Sequence, residues 1–190
     1  MSTSRLEAFS DGVIAILITI MVLELRVPHG AEVADLRPIL STFLVYVLSY
    51  VYLGIYWTNH HHLLHVTRRV SGAVLWANLH LLFWLSLVPF TTAWMGDNHN
   101  APVPTAVYGV VLLMASIAYY VLVRLILRVE GRDSPLGVAV GKDFKGRIST
   151  ALYVCAIPLA FVHQLIADAI YIAVALIWLI PDPRIESRIS

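Results

Sequence analysis

Two stretches of this sequence bring together side chains able to do chemistry. His60-His61-His62-x-x-His65 sets four imidazoles within six residues, a spacing at which histidines bind metals. Histidine-based membrane oxygenases need several such boxes plus carboxylates, whereas His29, His80, His99 and His163 stand singly. A polar helix end is therefore expected: no metal, no cofactor and no catalytic residue is assigned. A histidine-dependent membrane metalloenzyme or metal transporter is kept as the rival reading from another class. The second stretch is Arg5-x-x-x-Phe9-Ser10-Asp11, at the mouth of an apolar run. A carboxylate at the centre of a membrane helix costs ~2.5–3.5 kcal/mol on insertion scales, so Asp11 is expected to face partners inside the protein.

The elements that must hold these residues are membrane helices. Hydrophobic residues make up 59% of the 190 and charged residues 13%, and the mean hydropathy is +0.78, which lies outside the range of soluble domains. Six apolar segments can be drawn, about 6–25, 38–58, 72–95, 103–127, 148–164 and 167–180, and they predict a single all-α, polytopic domain over residues 1–190 in a lipid bilayer. The first carries no polar side chain but Thr19 between Asp11 and Glu24. It lacks the pattern of a cleaved leader and is expected to stay. A formal net charge of +1 with no dense basic patch gives no argument for nucleic acid, and none is expected as a partner. With both termini cytoplasmic, eleven of the thirteen Lys and Arg residues fall on the cytoplasmic side, leaving only Arg26 and Arg37 outside. Cys155 is the one cysteine, read as a small packed apolar residue. Asp168 reads as an interfacial or capping residue, and Trp94, Trp178, Tyr108 and Tyr171 as an interfacial belt.

Depth suggests partners for Asp11. Trp57, Asn59, His60 and His61 end the second segment on the same side, and Trp76 and Asn78 lie at similar depth in the third. A network joining Arg5, Ser10 and Asp11 to some of these satisfies buried polar groups and locks helix one against helices two and three. The plainer alternative has Asp11 capping or facing the cytosol, with Arg5 as a solvated flank. Ile16, Thr19, Ile20 and Leu23 follow i, i+3, i+4, i+7 spacing and so share one helical face. Spacing alone makes this a helix-packing or lipid face. No Thr-Val-Gly-Tyr-Gly filter occurs, so a carbonyl-lined potassium filter is excluded.

Arg5-x-x-x-Phe9-Ser10-Asp11 resembles the signature of the transmembrane protein 175 type of potassium channel in its short prokaryotic form. Gly54-Ile55-Tyr56-Trp57-x-Asn59-His60-His61, Phe83-Trp84-x-Ser86-Leu87-x-Pro89-Phe90, Ala156-Ile157-Pro158-Leu159-Ala160-Phe161 and Trp178-Leu179-Ile180-Pro181-Asp182 are similar to further blocks of that family. The resemblance implies a potassium-selective channel in the cell membrane, with K+ as permeant ion. A single six-helix copy implies a homotetramer with helix one lining a central pore. It places Ile16 at the principal hydrophobic gate, Thr19 at a threonine layer and Leu23 at an outer apolar layer, with Ile20 adjacent. Its network residues map to Arg5, Phe9, Ser10, Asp11, Trp57, Asn59, His60, His61 and Asn78, as structural support of the pore helix. Proton conduction is the alternative within the family.

Overall fold

The computed structural model describes residues 2–98, 101–131 and 144–179. Helix α1 spans Thr3–Leu23. A short 3-10 helix, Val33–Ile39, opens on a capping box in which the Asp35 carboxylate accepts from the Glu32 backbone N–H at 2.9 Å. It contains Pro38 and feeds α2, Leu40–His65. Ser71 caps α3, Gly72–Ser86, by accepting from the Val74 N–H, and α4, Val88–Asp97, follows at once. Helices α5 (Pro102–Glu130), α6 (Phe144–Val162) and α7 (Gln164–Leu179) follow among the described residues. All regular structure among the described residues is helical.

Helices α3 and α4 form one bent span. Pro89 has no N–H to donate and its ring crowds the carbonyl one turn back, so the expected unbroken helix over 72–95 is interrupted at Leu87. Counted in this way, five spans are long and apolar enough to cross a membrane. The 16 residues of α7 rise about 24 Å at ~1.5 Å each, short of a full core but apolar throughout save Asp168 and Gln164. These make a six-span membrane protein. The second helix also departs from expectation by running on to His65 rather than ending at 58, because nothing in Asn59-His60-His61-His62 breaks a helix. The histidines therefore ride on a helical surface.

Two apolar cores hold the spans. One gathers Leu6, Ile14, Leu17 and Met21 of α1 with Leu53, Leu81 and Leu122. The other is built round Tyr52, Tyr108, Tyr153 and Tyr171. Tyr108 and Tyr171 are fully buried, contrary to their reading as a headgroup belt. Their hydroxyls explain why: Tyr171 donates to the Thr105 carbonyl at 3.1 Å, Tyr52 to the Tyr171 carbonyl at 2.6 Å, and Tyr108 pairs with Ser49 at 3.0 Å. Each aromatic body fills the core while its polar tip is satisfied by a neighbouring helix. Cys155 is exposed on α6 and not packed. Asp168 lies a full turn inside α7 and caps nothing; its Oδ1 is buried without a hydrogen-bond partner in this chain's described residues.

Gly109 lets α5 approach α7 because a Cβ there would strike the Tyr171 hydroxyl. Gly109→Ala should dislodge that hydroxyl and destabilise the subunit by about 1–3 kcal/mol. Gly54, where a Cβ would meet nothing within 4 Å, should tolerate alanine. Thermal unfolding in detergent checks both, and equal midpoints for the two variants would contradict the packing.

Candidate functional site

Helix α1 is stitched to α2 and α3 by three polar contacts within its first three turns. In the innermost, His60 Nε2 lies 2.7 Å from the Asn78 carbonyl oxygen, Asn78 Nδ2 donates to Ser10 Oγ at 2.9 Å, and Ser10 Oγ donates to the Leu6 carbonyl at 2.9 Å. His60, Asn78 and Ser10 are fully buried. The proton direction is the same throughout: with the Asn78 amide donating to Ser10, its oxygen is left to accept, which selects the Nε2–H tautomer of His60. His60 Nδ1 is buried and has no hydrogen-bond partner among the described residues.

Flanking this chain, Trp57 Nε1 donates to Asp11 Oδ1 at 3.0 Å and His61 Nδ1 meets Glu7 Oε1 at 2.8 Å. Glu7 and Asp11, one turn apart on α1, thus meet His61 and Trp57, one turn apart on α2, in antiparallel order. The Trp57 and His61 rings stack at 6.3 Å. Glu7 was not among the residues expected here. Its signal was the four-residue offset from Asp11, which puts both carboxylates on one helical face.

The structure does not bring every expected residue into the network. Arg5 is exposed, with no hydrogen bond or ion pair to any described residue. Phe9 is likewise exposed. Asn59 donates to the Ile55 carbonyl of its own helix at 2.8 Å, while its own carbonyl accepts from Tyr119. Trp76 is 75% exposed, on the far side of α3 from Asn78. The rings of His62 and His65 lie 5.6 and 6.0 Å from that of His61, and among the described residues no three His, Cys, Asp or Glu side chains are grouped to hold a metal ion.

The opposite face of α1 is left open. Leu6, Ser10, Ile14, Leu17 and Met21 pack against the chain, whereas Phe9, Ile16, Thr19, Ile20 and Leu23 are exposed. Neighbours in sequence make the contrast plain: Ile16 is 57% exposed and Leu17 is 7%. The Thr19 hydroxyl donates to the Ile16 carbonyl at 2.9 Å, so its oxygen keeps its lone pairs for another partner.

The family model described as endosomal/lysosomal potassium channel TMEM175 matches residues 5–89, which hold the whole network. A protein named a potassium channel from Chryseobacterium sp. (strain P1-3) is 54% identical over the full length of this chain and 99% of its own. The chain belongs to the TMEM175 family. The fold agrees: the crystal structure of a lysosomal potassium-selective channel TMEM175 homolog from Chamaesiphon minutus superposes with a TM-score of 0.80 at 29% identity, covering 93% of this chain and 96% of that one. The Bos taurus relative, named an endosomal/lysosomal proton channel TMEM175, is 30% identical over 85% of this chain, which spans 37% of that protein. Members of the TMEM175 family are ion channels and not enzymes. In this TMEM175 chain the polar network accordingly has the geometry of a helix anchor, with no nucleophile set against a base.

Asn78→Leu strands the His60 Nε2–H and removes the donor to Ser10, so it should cost about 1–3 kcal/mol of subunit stability. Trp76→Leu, two residues away, should cost almost nothing. Chemical unfolding followed by circular dichroism distinguishes them, and a comparable loss in both would mean that Asn78 is not the anchor.

Proposed function

We propose that this chain, read as one domain over residues 1–190, forms a potassium-selective cation channel in the cell membrane. Four copies surround a central pore lined by α1, and both termini are cytoplasmic. The observation that carries this reading is the two-faced character of α1. One face is packed and hydrogen-bonded inside the subunit, while the other presents Phe9, Ile16, Thr19, Ile20 and Leu23 to the outside. One such helix per chain cannot enclose a path, and closed rotational symmetry supplies the rest. The names of the Chryseobacterium and Chamaesiphon relatives support potassium as the ion. Eleven basic residues on the side of the N-terminus support the orientation.

In a ring, four Ile16 side chains form an apolar constriction that resists wetting, so ions meet a dewetting barrier there. Thr19, its proton engaged by the Ile16 carbonyl, offers the pore an oxygen ligand one turn further out, and Leu23 a second apolar layer beyond it. Glu7, Ser10, Asp11, Trp57, His60, His61 and Asn78 serve this pore by fixing the height and rotation of α1. Arg5, exposed at the end of that helix, meets no hydrogen-bonding or ionic partner among the described residues.

Purified protein in liposomes should pass potassium ahead of sodium. Ile16→Asn should raise the flux about tenfold for every ~1.4 kcal/mol taken off the barrier and weaken discrimination. Leu17→Asn should instead lower the yield of folded protein. A large leak from Leu17→Asn with Ile16→Asn silent would put the pore on the other face of α1. The second reading, proton conduction, is favoured by the name of the bovine relative. Reversal potentials under separate potassium and proton gradients decide between them.

A further inference from the structure

A cavity of about 400 Å³ opens between α2, α5, α6 and α7, away from α1. That volume is within the range of ligand sites, ~300–1,000 Å³. Its walls are aromatic: Tyr56, Tyr119, Tyr153 and Trp178 line it. Several polar side chains along it are already hydrogen-bonded within the protein. Ser116 and Thr150 share a hydrogen bond of 3.1 Å, the Trp178 indole donates to Ser149 at 2.9 Å, and the Tyr119 hydroxyl donates to the Asn59 carbonyl at 3.1 Å. The interior therefore offers a guest chiefly apolar and aromatic contact.

The mouth has the opposite character. Arg147, in the first turns of α6, lines the opening. Arg124, near the cytoplasmic end of α5, stands 5.8 Å over the ring of Tyr120, another lining residue. Both guanidinium groups are exposed, and neither is paired with an acidic side chain among the described residues. In the orientation proposed above this is the leaflet where anionic lipids concentrate, and basic pockets between membrane helices on that side take their headgroups. An apolar, aromatic slot beneath two exposed cations is complementary to an anionic lipid.

We propose that this cavity binds an anionic phospholipid, with an acyl chain against the tyrosine and tryptophan walls and the phosphate held at the mouth by Arg147 and Arg124. The site rests on the membrane setting and not on which ion the protein conducts.

Native mass spectrometry of the purified protein with equal amounts of dioleoylphosphatidylglycerol and dioleoylphosphatidylcholine tests this directly. Phosphatidylglycerol should be retained in excess. Arg147→Gln and Arg124→Gln should each lower its occupancy about fivefold and leave the phosphatidylcholine signal unchanged. Ala151→Trp, which places a ring in the cavity, should lower binding of both lipids. Glycerol 1-phosphate, a headgroup without chains, should not displace the lipid. Equal retention of the two lipids, unchanged occupancy in the Arg147→Gln, Arg124→Gln double variant, or displacement by glycerol 1-phosphate would overturn the proposal. The arginine variants alter only exposed side chains, so they decide the matter even if Ala151→Trp does not fold. Because the readout is binding, it stands whether or not potassium flux is observed.

Discussion

A hydroxyl, a carboxamide and an imidazole buried together in a membrane protein must find their partners inside it, and Asn78 is the residue that makes their union possible. Its amide carries a donor and an acceptor on one rigid plane, so it can accept from His60 and donate to Ser10 at the same time. A burial cost that would otherwise fall on each group separately is thereby met by one set of hydrogen bonds. The geometry is strict. Moving α1 by one residue along its axis would shift Ser10 by ~1.5 Å and turn it by ~100°, breaking the chain. Three helices are thus held in register by a few atoms, where apolar packing alone would tolerate sliding.

Around that point the fold adds redundancy in a different chemistry. The Glu7–His61 and Asp11–Trp57 contacts lie on either side and are partly exposed, so they are screened and individually weaker. They add direction: two residues a turn apart on α1 match two a turn apart on α2 only when the helices are antiparallel. With one face of α1 fixed in this way, the azimuth of the other follows. Ile16, Thr19 and Leu23 point outward because Ile14, Leu17 and Met21 point inward.

Much of this was legible in the sequence, for identifiable reasons. The six spans are apolar runs with breakers between them. Ser10, Asp11, Trp57, His60, His61 and Asn78 were readable as a network because polar groups in such runs must find each other. Depth supplied their height but not their rotation. Trp76 shares the height of Asn78, yet two residues is about 200° of turn, and it faces away. Asn59 failed as a partner for the same reason, since its amide folds back on its own helix. The bend at Leu87 was written in Pro89 and went unread, while the continuation of α2 through its histidines only extended a helix past polar residues. Tyr108 and Tyr171 were beyond reach, because their hydroxyl partners are Ser49 and a backbone carbonyl brought in by other helices. The outward face of α1 was visible as a stripe, but the pore-lining role proposed for it rests on resemblance to a family.

The central claim is that the open face of α1 meets the same face of its neighbours while the anchored face does not. Disulfide formation reads this directly, since cysteines join only when their Cα atoms come within about 4.4–6.8 Å. In a Cys155→Ser background, which removes the one native cysteine, Ile16→Cys protein in native membranes should give covalent dimers on mild oxidation. Ile14→Cys, whose side chain is buried within its own subunit, should stay monomeric on a non-reducing gel. Dimers from Ile14→Cys and none from Ile16→Cys would contradict the account.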